Sequence, residues 1–93
     1  MPGIKIFTGS SHPELTSLII QRLGIPASPA VVKRFGNGET SVELGVSVRD
    51  ADVFLIQSGS HSVNDHLMEL MMMIGACRAA SAKRITAVYD YLI

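Results

Sequence analysis

Several features that would point to a class of protein are scarce or absent in this sequence of 93 residues. Cys77 is its one cysteine, so no disulfide can form within the chain and a reducing compartment is favoured. Eight basic and eight acidic residues cancel, which argues against a nucleic-acid module held by net charge. The longest apolar patch, Leu67 to Ile74, is interrupted by Glu69 and is too short to span a bilayer. We therefore expect a globular cytoplasmic protein that contacts neither nucleic acid nor membrane.

The apolar residues that are present alternate between strand and helix patterns. A chain of this length forms one small domain, and its 47% of apolar residues argues against disorder. The patterns predict strands over Ile4 to Thr8, Ala30 to Arg34, Thr40 to Leu44, Asp52 to Ile56 and Arg84 to Val88. They also predict a helix from the capping box Ser11-x-x-Glu14 to Gly24, and another from about Val63 to Ala80. Asn37-Gly38 predicts a hairpin turn between the second and third strands. The fold class is α/β with a mainly parallel sheet.

The second predicted helix is apolar over most of its circumference. Its expected sheet-facing stripe consists of Val63, Leu67, Leu70, Met71, Ile74 and Cys77. Met68, Met72 and Met73 lie off that stripe, and Glu69 is among the expected wet positions. A helix of this kind is usually covered on both sides, by a partner subunit or by further residues of a longer protein. The alternative is a loosely filled core, because methionine packs adaptably.

Taken one at a time, the motifs that could indicate a metal, catalytic or anion-binding site are weak evidence. His61 and His66 straddle a helix start and share no face, so with His12 they do not form a convincing metal site. Ser60 and His61 lack a recognisable catalytic partner. The turn Thr8-Gly9-Ser10-Ser11 joins a strand to a helix N-terminus and resembles an anion cradle, although it lacks the lysine and spacing of a P-loop.

Separated segments together carry a more specific resemblance. The segments are IKIFTGSSH at 4–12, FGNGET at 35–40, GVSVRD at 45–50, NDHLMEL at 64–70 and AASAKRITAV at 79–88. In this order and at these spacings the chain resembles the N-terminal part of ribose-phosphate pyrophosphokinase, also called PRPP synthetase. The resemblance covers residues 1 to 88 as an N-terminal domain of that type, and residues 89 to 93 form a divergent tail.

The resemblance implies a fold and an activity. The fold is a single, incomplete phosphoribosyltransferase-like (Rossmann-like) domain of three layers with a projecting β-hairpin. The activity is ribose-phosphate diphosphokinase, in which the β,γ-diphosphoryl group of ATP passes with Mg²⁺ to ribose 5-phosphate, giving PRPP and AMP for nucleotide biosynthesis. Family members assemble into dimers and hexamers, so the implied partners are PRPP synthetase subunits, in a homo- or hetero-oligomer, together with ATP and ADP.

Phe35, Asn37 and Glu39 match the family motif by which a hairpin holds the adenine of a neighbouring subunit's ATP. The residue types are compatible with that role, because a ring offers a stacking face and an amide with a carboxylate can bond a purine edge. The other interpretation is that Asn37-Gly38 only makes a tight turn while Phe35 fills the core.

Ser47, Arg49, Ala80 and Ser81 match family positions that line an allosteric phosphate or ADP site between subunits. A guanidinium can fork onto phosphate and serine hydroxyls can complete the shell. The alternative for Arg49 is a solvated side chain that pairs with Asp50 or Asp52.

The family pattern is lost after Val88, where an ATP-binding segment of the Pro-x-x-Pro-Tyr-Ala-Arg-Gln kind is expected and Tyr89 to Ile93 stand instead. The family's metal ligands, flexible catalytic loop and ribose-phosphate loop have no counterparts, so we expect no catalytic residue and no metal ligand in this chain. The chain is then either a truncated portion of the enzyme, inactive alone, or a non-catalytic regulatory or interaction subunit that docks on full-length PRPP synthetase. Without the resemblance, a flavodoxin-like or receiver-like module would be the alternative.

Overall fold

The computed structural model of the chain describes residues 3–9, 13–34, 36, 40–59 and 63–91. Within these ranges the chain forms five strands and two helices in the predicted order. The elements are β1 (Ile4–Thr8), α1 (Pro13–Leu23), β2 (Ala30–Arg34), β3 (Thr40–Leu44), β4 (Asp52–Gly59), α2 (Val63–Ala79) and β5 (Arg84–Tyr91).

The strands form two separate sheets. Strands β1, β4 and β5 form a parallel sheet in the order β1-β4-β5, with Ile4 opposite Asp52 and Asp52 opposite Arg84. Strands β2 and β3 form an antiparallel pair whose register runs from Ala30 opposite Leu44 to Arg34 opposite Thr40. The predicted α/β class, with a mainly parallel sheet and a separate hairpin, is confirmed.

The two helices lie on opposite faces of the parallel sheet. Leu70, Met73 and Cys77 of α2 pack into one core cluster with Phe7 and with inward residues of β4. The base of the hairpin adds to this side, through residues such as Val42 and Leu44. On the other face, α1 lies over Ile4, Ile6, Phe54, Ile56 and Val88 and leaves an apolar cavity of about 440 Å³. The core therefore sits mainly between the sheet and α2.

Two strands are longer than the sequence pattern predicts. Strand β4 continues past Ile56 to Gly59, and β5 continues past Val88 to Tyr91, which lies opposite Gly59. Apolar periodicity ends earlier than the strands because Gln57 and Tyr89 are polar or amphipathic. The parallel hydrogen-bond ladder extends across them once both strands are in register. Tyr89 also packs against the core cluster.

The buried stripe of α2 differs from the predicted one. Met71 and Leu67, expected to face the sheet, are 58% and 41% exposed. Met73 and Glu69, expected to lie off the stripe, are buried at 2% and 3% exposure. The sequence offered two overlapping apolar arcs, and packing against the sheet selected the arc that carries Leu70, Met73 and Cys77. Met68, expected to lie off the stripe, is exposed.

Neither helix, within the part of the chain that the structure describes, has the length and apolar character needed to cross a membrane.

Helix α1 ends where predicted, at Gly24, which has a φ of 72° and donates its amide to the carbonyl of Ile20 at 3.1 Å. This left-handed position after a helix is one that glycine fills without steric cost.

Candidate functional site

Two turns meet at the edge of the parallel sheet where β4 and β5 begin. The first turn precedes β4 and is closed by a hydrogen bond from the amide of Ala51 to the carbonyl of Val48, at 2.9 Å. The second connects α2 to β5. The amide of Asp50 donates to the carbonyl of Ser81 at 2.9 Å, and the amide of Lys83 donates to the carbonyl of Ala51 at 2.8 Å. Backbone hydrogen bonds therefore join the two turns into one surface.

The second turn is built as a helix C-cap. The amide of Ala82 donates to the carbonyl of Cys77 and the amide of Ser81 to that of Arg78, each at 3.1 Å. Ser81 has a φ of 66°. This pair of bonds around one left-handed residue is the Schellman motif, which normally places glycine at the position that Ser81 occupies here.

Asp50 and Ser81 are the two non-glycine residues with positive φ in the described ranges, at 59° and 66°. A left-handed backbone costs an L-residue about 1–2 kcal/mol, and it persists only where surrounding contacts hold it. Such positions cluster at functional sites. Both lie on the surface formed by the joined turns.

The four residues expected to line a phosphate or ADP site lie on this surface. Ser47 and Arg49 belong to the first turn region, while Ala80 and Ser81 belong to the second, and all four are exposed. The amide of Arg49 donates to Oγ of Ser47 at 3.4 Å. The alternative for Arg49 was an ion pair with Asp50 or Asp52, and the ion pair found among the described residues joins Lys33 and Glu43 instead. The fold thus brings together two segments that are far apart in sequence and leaves a guanidinium exposed beside them.

The opposite edge of the sheet, where the strands end, holds part of the predicted anion cradle. Thr8 and Gly9 line a cavity of about 330 Å³ together with Thr16 and Ser17 of α1. The amide of Gly9 donates to the carbonyl of Ile56 at 2.7 Å, so it faces the sheet rather than the cavity. Ser10 and Ser11 lie outside the described residues, so the cradle stays a prediction.

A buried polar group beneath this edge was missed by the sequence reasoning. Gln57, 1% exposed, donates through Nε2 to the carbonyl of His66 at 3.1 Å and to Oε1 of Glu69 at 3.3 Å. A Cβ atom on Gly9 would coincide with the amide of Gln57, so the close approach requires glycine. The sequence did contain one indication of this pair, because Glu69 is an acidic residue within an apolar helix. A carboxylate at such a position is usually buried only where it has a hydrogen-bond or charge partner.

The remaining predicted groups are only partly placed. Phe35, Asn37 and Glu39 lie outside the described residues, as do His12, Ser60 and His61. His66 is half-buried at the start of α2. Over the described ranges, no three of the histidine, cysteine, aspartate and glutamate side chains come together as metal ligands. We therefore derive no chemistry through a metal.

Cys77, the single cysteine, belongs to the core. Burial raises the pKa of its thiol above the ordinary value, because the thiolate would lose its hydration. The thiolate is the reactive form, so this residue is structural rather than nucleophilic.

Comparison with known proteins agrees with the resemblance. A family model described as the N-terminal domain of ribose phosphate pyrophosphokinase matches residues 4–93. Among curated relatives, ribose-phosphate pyrophosphokinase 1 of Saccharomyces cerevisiae is 61% identical over 88 residues, which are 95% of this chain and 21% of that protein. Ribose-phosphate pyrophosphokinase 1 of Schizosaccharomyces pombe is 59% identical over 91 residues, which are 98% of this chain and 22% of that protein.

A solved structure supports the same family relationship. The crystal structure of phosphoribosylpyrophosphate synthetase from Mycobacterium smegmatis superposes with a TM-score of 0.88 at 38% identity, over 94% of this chain and 29% of that one. The chain therefore spans less than a third of the length of these relatives. It belongs to the family of ribose phosphate pyrophosphokinase N-terminal domains.

Proposed function

We propose that this chain acts as the N-terminal portion of a PRPP synthetase subunit in the cytoplasm, and that it makes no PRPP by itself. The observation that carries the proposal is the surface of the joined turns, where the fold assembles Ser47, Arg49, Ala80 and Ser81. Transfer of a diphosphoryl group from ATP needs positioned metal and cations around the developing charge. Those groups belong to a longer protein.

The surface of the joined turns is the regulatory part of this function. Arg49 is exposed and forms no ion pair within the described ranges, so its guanidinium is available for a bidentate contact with phosphate. Ser47 and Ser81 belong to the same surface, and their hydroxyls can act as further donors to phosphate. Phosphate or ADP would bind here against a second subunit, because four exposed residues on two turns form only one wall of a site.

The hairpin is the contribution of this chain to the ATP site of a neighbouring subunit. Phe35, Asn37 and Glu39 follow β2 and precede β3, so the pairing of Arg34 with Thr40 fixes both ends of the loop that carries them. From that loop they contact the adenine of an ATP bound by another subunit. Stacking of one ring on a base contributes about 1–3 kcal/mol, so the hairpin alone binds ATP feebly.

A second function, a non-catalytic subunit that docks on full-length PRPP synthetase, is favoured by one observation. Helix α2 exposes Leu67, Met68 and Met71 on the side that faces away from the sheet. Exposed apolar groups of this size mark interaction surfaces. Both functions need such a surface, and they differ in whether the hairpin contributes to catalysis.

The deciding experiment mixes this chain with full-length subunits whose own hairpin phenylalanine has been replaced by alanine. PRPP formation from ATP, ribose 5-phosphate and Mg²⁺ is measured for the chain alone and for the mixture. We expect none from the chain alone and partial recovery in the mixture, which Phe35→Ala abolishes. Val31→Ala, an exposed change on β2, is the matched control and keeps the recovery.

Equal recovery by the wild-type and Phe35→Ala chains, in assemblies of equal composition, would contradict the role of the hairpin. Assembly without any recovery would favour the non-catalytic subunit. PRPP formation by the chain alone, above a heat-inactivated control, would contradict the proposal as a whole.

A further inference from the structure

A groove lies between the last turns of α2 and the free edge of β5. It has a volume of about 410 Å³, within the range of small-molecule sites. Arg78 of α2 and Lys83 and Arg84 at the start of β5 line it. Ser47, Arg49, Ala80 and Ser81 are not among the described residues that line it, so the groove differs from the phosphate or ADP site expected at those four residues, although Lys83 follows in the same turn as Ser81.

The three cations of the groove are not neutralised within the described part of the chain. All three side chains are exposed, and the ion pair that the structure forms, Lys33 with Glu43 at 3.0 Å, lies elsewhere on the hairpin. Asp52 lies opposite Arg84 in the strand register, yet its Oδ1 is buried without a hydrogen bond and does not reach the guanidinium. Among the described residues that line the groove there is no carboxylate. Three like charges around one concave surface attract anions.

The backbone that carries these cations is held by its own hydrogen bonds. The amides of Lys83 and Arg84 both donate to the carbonyl of Ala51, at 2.8 and 3.3 Å. The amides of Ala80, Ser81 and Ala82 donate to carbonyls of the last turn of α2, so these carbonyls at the negative end of the helix dipole are already hydrogen-bonded. The helix terminus therefore does not repel an anion as strongly as free carbonyls would.

The wall of the groove is apolar. Ile74 of α2 and Ile85 and Ala87 of β5 contribute it beside the cations. An apolar wall next to a cluster of cations suits a ligand that has a flat or apolar body and a phosphate chain. Inorganic phosphate alone would not contact the apolar wall.

We propose that this groove binds a nucleoside diphosphate, with its phosphates on Arg78, Lys83 and Arg84 and its base against Ile74 and Ile85. This site goes beyond the proposed function, because nothing in that function assigns a role to these five residues. It is a second anion site of the chain, on the α2 side of the turn that carries Ser81.

Binding of ADP to the purified 93-residue chain tests the proposal, with pyrophosphate and adenosine as partial probes. We expect ADP to bind more tightly than pyrophosphate, adenosine not to bind measurably, and affinity to fall as salt is raised. Lys83→Gln and Arg84→Gln should each weaken ADP binding about tenfold, the loss of one charge-assisted contact. Arg22→Gln, at an exposed cation on α1, is the control that leaves it unchanged, and Arg49→Gln distinguishes this groove from the surface of the joined turns. Circular dichroism verifies that each variant keeps the fold, since the replaced side chains are exposed.

A second measurement does not depend on variants. Amide NMR signals of Arg78, Ala82, Lys83 and Arg84 should shift on addition of ADP, and that of Arg22 should not. Loss of binding in Arg49→Gln with retention in Lys83→Gln would overturn the proposal and assign the ADP to the joined turns. Equal affinity of all variants, or equal affinity for ADP and pyrophosphate, would also overturn it.

Discussion

The amide of Asp50 donates to the carbonyl of Ser81 at 2.9 Å, and both residues have a positive φ, 59° and 66°. One hydrogen bond thus joins two residues that each hold a backbone conformation unfavourable for a side chain. The bond fixes the turn before β4 against the turn before β5. It is the link that brings the two halves of the proposed regulatory surface together.

Replacing Ser81 by glycine should stabilise the chain. Glycine adopts the left-handed conformation without a Cβ clash, and part of that gain is offset by the greater entropy of glycine in the unfolded chain. We expect the free energy of unfolding in urea to rise by about 0.5 kcal/mol. Ser17→Gly, within α1, should instead lower it by about 0.5 kcal/mol, because glycine is a poor helix former. A loss of stability in Ser81→Gly would contradict the role assigned to its φ.

Replacing Gly9 by alanine should destabilise the chain. The new methyl group would overlap the buried amide of Gln57, which is held by hydrogen bonds to His66 and Glu69. Displacing it costs about 1–3 kcal/mol of unfolding free energy. Gly75→Ala on α2 is the matched control, since its Cβ would meet nothing within 4 Å, and it should stabilise by about 0.5–1 kcal/mol.

A double variant tests whether Gln57 is the group that excludes a side chain at position 9. In the double variant Gly9→Ala with Gln57→Ala, the overlap is removed, so the two changes should cost less together than the sum of their separate effects. Simple additivity would show that Gln57 is not what excludes a side chain at position 9.

The exposed side of α2 should make the chain associate. Met68 and Met71 are each 58% exposed and lie beside Leu67 on this helix. We expect sedimentation at high micromolar concentration to show species larger than a monomer. Changing both methionines to glutamate should shift the chain toward a monomer with little change in unfolding free energy, because neither side chain is in the core. A wild-type chain that sediments as a clean monomer and binds no full-length relative would contradict this.

The thiol of Cys77 should make stability depend on pH in the alkaline range. Burial raises its pKa in the folded chain, so the unfolded chain loses this proton first as pH rises. The stabilising contribution is present in full below the unfolded pKa and is lost as pH rises through the folded pKa. The difference in unfolding free energy between the wild type and Cys77→Ala should therefore shrink above the ordinary thiol pKa. A thiol reagent should label the folded chain much more slowly than the unfolded one, and equal rates would contradict burial.

Local sequence patterns were sufficient to predict most of the element boundaries. The hairpin strands have the bounds that alternation on either side of Asn37-Gly38 predicted, and α1 ends at the predicted glycine. These features depend on neighbouring residues, so the sequence contains the physical information that sets them. The segments that carried the family resemblance are likewise contiguous.

Features that depend on partners far along the chain were predicted poorly. The extra length of β4 and β5 comes from their pairing, and the burial of Glu69 comes from Gln57 across the interface between α2 and the sheet. The face of α2 that packs inward was chosen by the shape of the sheet among nearly equivalent apolar arcs. Burial of a side chain is a property of the assembled domain, and periodicity on one helix does not specify it when most of its surface is apolar.

By itself the sequence determined the α/β class, the order of its elements and the identity of the residues expected at each candidate site. Tertiary structure alone decided that Ser47 and Arg49 share a surface with Ala80 and Ser81, and that Arg78, Lys83 and Arg84 line one groove. Local propensity acts over a few residues along the chain. Proximity between distant segments arises only when the parallel strands β4 and β5 align their first residues, which places both preceding turns at one edge of the sheet.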